Sequence, residues 1–183
     1  MVRGGIVLSQ QPSQTLPNVM VDLVGRNISV PNFRVLDASV KGEMVNLANS
    51  SSHLQVNATG LNIANQSLRA LQLQFDGTQK DHRLDVKADS VRGSVQASLK
   101  GAIDLNKKTW QGVLGNGQIG TKYAKLQQIQ PSQMALNWQN PSVQLASHCW
   151  QTVGQSGKLC LNDNLTVSQN AGKVNLDIKN IDR

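Results

Sequence analysis

The sequence predicts an all-β fold, an elongated curved antiparallel sheet, and three observations carry that expectation. The first is Val91 to Leu105, where Val91, Val95, Ala97, Leu99, Ile103 and Leu105 share the odd register with Gly93 and Gly101, while the even positions are polar or small. Side chains alternate across a strand, so the run has one apolar and one wet face over about 50 Å at roughly 3.3 Å per residue. Such a length suits a long sheet or groove better than a compact globule. The second is that alternation of period two recurs along nearly the whole chain and no segment carries a helical stripe. The third is that turn signals separate the alternating runs in order, and a meander of neighbouring antiparallel strands is the simplest topology for such a series.

The elements follow one another as alternating segments. After a Gln/Pro/Ser-rich stretch from Ser9 to Pro17, read as a loop, Val19, Val21 and Leu23 mark one strand. Ile28 and Val30 mark a short second, and Phe33 and Val35 a third beyond Pro31. Leu54, Val56 and Ala58 come next, then Leu71, Leu73 and Phe75, then Leu84, Val86 and Ala88, with Asp76-Gly77 as a hairpin dipeptide between the last two. Beyond the long run and the polar connection Asn106 to Thr109 lie Trp110, Gly112 and Leu114. Met134, Leu136 and Trp138 follow, then the breaker Asn140-Pro141, then Val143 and Leu145. Leu165, Val167 and the closing run Val174, Leu176, Ile178 complete the series, and Thr121 to Gln130 reads as coil. The chain, 1–183, is expected to be a single β-rich segment of a larger protein, because its last run resembles a strand of a continuing sheet. Met1 to Leu8 is too short for a signal-peptide core, and no run approaches the length of a membrane span.

Composition narrows the function classes. Aromatic residues make up only 3% of the chain, so its apolar surface is mostly aliphatic and suits sheet packing or acyl chains better than a shaped small-molecule pocket. The net charge of +7 invites a nucleic-acid reading. Its distribution speaks against one, since Lys80, Arg83, Lys87, Arg92, Lys100, Lys107 and Lys108 are interleaved with Asp76, Asp81, Asp85, Asp89 and Asp104, without aromatic stacking residues among them. A solvated, mildly basic sheet face accounts for the charge, with attraction to anionic head groups as the alternative.

Chemistry-bearing constellations are sparse, and no enzyme activity, cofactor or metal is expected. His53, His82 and His148 are far apart in sequence, and Glu43 is the only glutamate among 11 acidic residues, so paired-carboxylate catalysis has little support. Gly115, Gly117 and Gly120 match a dinucleotide fingerprint in letters, but no strand–helix context follows, and Asn116-Gly117 reads as a tight turn or bulge. Cys149 and Cys160 flank a glycine-containing loop at a spacing wrong for a redox or zinc pair. A disulfide across a hairpin or adjacent strands fits, placing the chain in an oxidising compartment, and two buried thiols are the alternative.

From Trp110 to Ile181, the succession WQGVL, a glycine-containing link, Leu136 and Trp138, VQLASHCW, KLCL and VNLDIKNID resembles the TamB family, AsmA-like proteins of the Gram-negative periplasm. The resemblance implies a β-taco half-pipe with an apolar concave groove in a protein anchored in the inner membrane, with a TamA-like outer-membrane barrel as partner. It further implies phospholipid conduction between the membranes or a chaperone-like surface for nascent outer-membrane strands. On the lipid reading, the groove lining is expected at Leu71, Leu73, Phe75, Leu84, Val86, Val91, Val95, Ala97, Leu99, Ile103, Leu105, Val143, Leu145, Val174, Leu176 and Ile178. A self-contained extracellular β-sandwich or adhesin module, with its apolar faces packed on each other, is the alternative from another class.

Overall fold

The computed structural model describes residues 1–10, 12, 17–45, 50–63, 66–168, 172–173 and 175–179. Most of the stretch Ser9 to Pro17, and Val174, lie outside the described residues. Strands β1 (Val2–Ser9), β2 (Asn18–Val30), β3 (Phe33–Met44), β4 (Ser52–Ile63), β5 (Gln66–Gly77), β6 (His82–Ser90), β7 (Gly93–Asp104) and β8 (Thr109–Thr121) form an antiparallel meander in chain order. Eight shorter strands follow: β9 (Lys125–Gln128), β10 (Ser132–Asn137), β11 (Ser142–Leu145), β12 (His148–Thr152), β13 (Lys158–Leu161), β14 (Leu165–Ser168), β15 (Gly172–Lys173) and β16 (Leu176–Lys179). All belong to one open antiparallel sheet, and the described residues contain no helix. The segment Thr121 to Gln130, expected as coil, contains β9, and β1 was not anticipated.

The long run is a strand of 12 residues, shorter than expected, because polar side chains end it at both sides. Ser90 Oγ accepts the backbone N–H groups of Arg92 and Gly93, each at 3.2 Å, and so turns the chain before the strand starts. Asp104 Oδ1 accepts the N–H groups of Asn106 and Lys107, each at 3.0 Å, and turns it at the other end. Val91 and Leu105 therefore sit in turns, 70% and 41% exposed.

Ile28-Val30 and the preceding Val19-Leu23 run, expected as two strands, are one strand with an irregularity. The same irregularity crosses four strands side by side. Val35, Ala58 and Leu61 are buried in one cluster with Ile28, Phe33, Ala38, Leu68 and Leu71 packed against it. Within β3, β4 and β5 the steps from Val35 to Ala38, Ala58 to Leu61 and Leu68 to Leu71 are odd, so a regular strand would put the two residues of each step on opposite faces. One extra residue per strand absorbs the step. Asn27 in β2 has φ 49° and Gly60 in β4 has φ 59°, and the β5–β6 register shifts between Leu68 and Ala70. Pairing of β3 with β4 likewise passes from Arg34–Asn62 to Asp37–Thr59 without a rung at Leu36 or Gly60. This seam keeps the aliphatic residues of both halves on one side.

At β8 the sheet forks. Thr109 to Leu114 pairs with β10, which leads to β11, β14 and β15, whereas Gln118 to Gly120 pairs with β9, which leads to β12, β13 and β16. Between the two pairings β8 bulges at Asn116, φ 53°, opposite the β7 register shift from Gln96 to Ser98. The glycine motif is thus a mid-strand bulge and not a turn. Gln128 fills the gap: its Nε2 donates to Leu114 C=O at 3.1 Å and its Oε1 accepts Gly117 N–H at 3.1 Å, so a side chain replaces the missing ladder partner. A Cβ at Gly117 would run into the tip of the Trp150 ring and Gln128 Oε1, so a side chain here would have to push them aside.

No second layer covers the sheet among the described residues. The accessible surface is 12248 Å² for a chain of 19.8 kDa. A compact monomer of that mass exposes about 8,600 Å². Among the described residues the buried hydrophobic side chains are Val35, Ala58, Leu61, Trp110 and Leu161. A self-contained sandwich whose faces pack on one another is not the arrangement found.

Candidate functional site: an apolar wall with an aromatic cup

The strand registers assemble the alternating aliphatic residues into continuous cross-strand rows. Ile6, Val21, Gly42, Leu54, Phe75, Leu84, Leu99 and Leu114 are successive partners from β1 to β8. Beside that row run Gly4, Leu23, Val40, Val56, Leu73, Val86 and Ala97, and then Val2, Gly25, Ala38, Ala58, Leu71, Ala88, Val95 and Ile119. Directly opposed apolar side chains lie about 4.5–5.5 Å apart at Cβ, so each row is a contact ladder. The result is an apolar wall across eight strands.

The fork extends the wall in both directions. Val143 and Leu145 join it through Leu136 and Met134, which oppose Trp110 and Gly112 of β8. Leu176 and Ile178 are on the other branch, opposite Leu161 and Leu159 of β13, and that branch reaches the wall through β12, β9 and Ile119. These two residues stay exposed, at 55% and 62%, at the margin of the sheet. Cys149 and Cys160 are direct cross-strand partners and form a disulfide that rivets β12 to β13.

Where β6, β7, β8 and β10 meet, the wall is indented by a cavity of about 230 Å³. Phe75, Leu84, Leu99 and Ile103, all expected on the apolar face, line one part of it. His82, Trp110, Leu136 and Trp138 line the rest. Sequence reasoning placed the last three on alternating strands without assigning them to a site. Their shared register, Trp110 with Gly112 and Leu136 with Trp138, was the available signal. His82 carried none, because its role is set by Trp110, distant in sequence and close only once the strands pair.

His82 and Trp110 neutralise each other's polarity. Trp110 Nε1–H donates to His82 Nε2 at 2.7 Å, so that nitrogen is the acceptor and the proton of the neutral ring sits on Nδ1, which donates to Thr78 C=O at 2.9 Å. Both residues are buried, at 4% and 8% exposure, and Phe75 stacks at a tilt on His82 with ring centroids 5.2 Å apart. The floor of the cup therefore offers carbon and ring faces, with no free donor from either residue.

The opposite face is polar. Arg83 Nε approaches the two oxygens of Asp85 at 3.0 and 2.7 Å, and Ser98 Oγ also donates to that carboxylate. Partial burial pushes the Asp85 carboxyl up, but these hydrogen bonds and the guanidinium charge outweigh it and hold the carboxyl below its usual range. His53, 2.5 Å away, lowers Asp76 chiefly by hydrogen bonding, with help from Gln74. Lys41–Asp22 and Arg26–Asp37 continue the cross-strand ion pairs, all on exposed side chains.

Fold and site together define a class: a single-layer antiparallel sheet with one face aliphatic and left open, and the other hydrophilic. The chain belongs to the TamB family, since the family model described as TamB, N-terminal domain, matches residues 2–183. It is similar to the translocation and assembly module subunit TamB of Haemophilus influenzae, 27% identical over 190 residues. That match covers 98% of this chain and 14% of the relative, so the chain spans a minor part of the relative's length. No solved structure matches it. Among the described residues no helix is long and apolar enough to cross a membrane.

Proposed function

We propose that the chain is a non-enzymatic stretch of a periplasmic conduit, whose apolar wall carries phospholipid acyl chains between the inner and outer membranes. In this reading the full-length protein is anchored in the inner membrane and works with a TamA-like outer-membrane barrel in a translocation and assembly module. The observation that supports it is the wall itself: eight strands of aligned aliphatic rows with no layer over them among the described residues, a patch that soluble monomers rarely leave uncovered without a binding role. Each buried methylene contributes about 0.8 kcal/mol, so a few methylenes per strand give a hold strong enough to retain a chain and weak enough to let it slide.

A second reading, a surface that receives nascent outer-membrane strands by β-augmentation, is favoured by one feature. Exposed apolar side chains flank β1 on both faces, Ile6 and Leu8 on the wall and Val7 and Met20 behind it, so a strand added there would gain apolar contacts besides backbone hydrogen bonds. A photo-crosslinker at Leu99 and another at Gly5, each in the full-length protein in cells, separates the two. Phospholipid adducts at Leu99 support conduction. Polypeptide adducts at Gly5 with none of lipid at Leu99 support the second reading and overturn the first.

A further inference from the structure

We propose that the cup between β6, β7, β8 and β10 is a station on the wall that seats one phospholipid by its acyl portion and prefers a lipid of net negative charge. The proposal rests on the conduit reading and adds to it a place and a selectivity. A uniform aliphatic wall would treat all head groups alike, whereas this cup has an asymmetric rim.

Its floor takes only hydrocarbon. Trp110 and His82 have spent their polar atoms on each other and on Thr78, and the remaining floor is aliphatic or phenyl. A polar group seated there would lose its water without gaining a partner.

Its rim is different. Trp138 is 45% exposed, and among the described residues its indole N–H has no acceptor. A half-exposed Trp that lines the cup and whose N–H has no acceptor suits the boundary between acyl chain and ester or phosphate. The backbone N–H of Trp138 donates to the carbonyl of Lys108 at 3.1 Å, which ties the rim to the β7–β8 turn. That turn carries three charges, Asp104, Lys107 and Lys108. Lys107 pairs with Asp104 at 3.6 Å, and the exposed Lys108 makes no ion pair among the described residues, so this turn beside Trp138 keeps one uncompensated cation. The occupant that fits both halves is an amphiphile with an alkyl tail and an anionic head. A phosphatidylglycerol meets both conditions; a phosphatidylcholine meets only the first.

The test is carried out on full-length protein, incubated with vesicles of either phosphatidylglycerol or phosphatidylcholine, with a photo-crosslinker at Leu136 in the cup or at Leu73 on the plain wall. One lysine near an anionic group shifts the preference by about fivefold at moderate salt. Adducts at Leu136 are expected to favour phosphatidylglycerol by that factor and to lose the bias in Lys108→Gln, while adducts at Leu73 show little bias in either protein. Equal labelling of both lipids at Leu136, or a bias that survives Lys108→Gln, overturns the station while lipid adducts at Leu73 keep the conduit. Absence of lipid adducts at both positions, in protein whose disulfide and strand content are intact, overturns the conduit and the station with it.

Discussion

At the scale of single residues, the His82–Trp110 bond converts two amphipathic rings into an apolar surface, and its cost of loss is calculable. His82→Phe keeps an aromatic ring against Phe75 but leaves the buried Trp110 N–H without its acceptor. Removing one partner of a buried pair costs about 1–3 kcal/mol, whereas removing both can be nearly neutral. The unfolding free energy of His82→Phe, measured by urea titration, is therefore expected to fall by that amount, and Trp110→Phe in the same background is expected to recover part of it. On the polar face the acid-sensitive groups are carboxylates. Asp76 and Asp85 are held below the usual carboxylate range in the fold, so each contributes stability above the unfolded value and loses it as pH falls through the lower folded value. Their side chains are 45% and 37% exposed, so solvent screening keeps each contribution to about a few tenths of a kcal/mol. Unfolding followed between pH 6 and pH 2 is expected to show stability declining below about pH 4. Asp85→Asn is expected to decline less steeply over that range.

At the scale of elements, the short strands after β8 cannot rely on length and depend on two local devices. Cys149 and Cys160 close a loop with a sequence separation of 11, for which the chain-entropy model gives about 3 kcal/mol. Cys149→Ser with Cys160→Ser is expected to expose the backbone amides of β12 and β13 to hydrogen exchange while β4 to β7 keep their protection. Gln128→Leu, which keeps bulk but removes both hydrogen bonds at the fork, is expected to raise exchange at Gly117 and along β9 without touching β10. How much of this was readable follows from range. The strands from Leu54 to Ala88 were legible because alternation is local, and the Cys pairing because two alternating runs flank a glycine turn. The seam was misread as strand ends at Leu23 and Ile28, since an odd step looks the same in sequence whether the chain turns or bulges. The fork was not legible, and of the cup only the aliphatic and phenyl part was: both depend on which strands lie beside β8, and Trp110 meets His82 and Leu136 only through strand pairing.

At the scale of the whole molecule, the sheet resembles a wall more than a globule, because its aliphatic rows from β2 to β8 lie half-buried side by side in one layer, whereas β1 is exposed along its whole length. Val2, Ile6 and Leu8 are 59%, 57% and 66% exposed, and only their strand pairing with β2 holds them in register. This arrangement makes the two faces separable experiments. Leu99 and Val113 are on neighbouring strands, Leu99 on the wall between Leu84 and Leu114, and Val113 opposite Lys100 in the polar rows. Arg at either position adds the same charge to the same part of the sheet, and neither residue is fully buried, so the strand ladder is expected to survive both. A guanidinium on the wall would meet a passing acyl chain and cost about 2.5–3.5 kcal/mol if hydrocarbon replaced its water, whereas on the polar face it stays hydrated. Transfer of labelled phospholipid between membranes by the full-length protein is therefore expected to drop at least tenfold for Leu99→Arg and less than twofold for Val113→Arg, a tenfold change corresponding to about 1.4 kcal/mol. Equal transfer by the two variants, with disulfide and strand signal retained, would falsify conduction along this face.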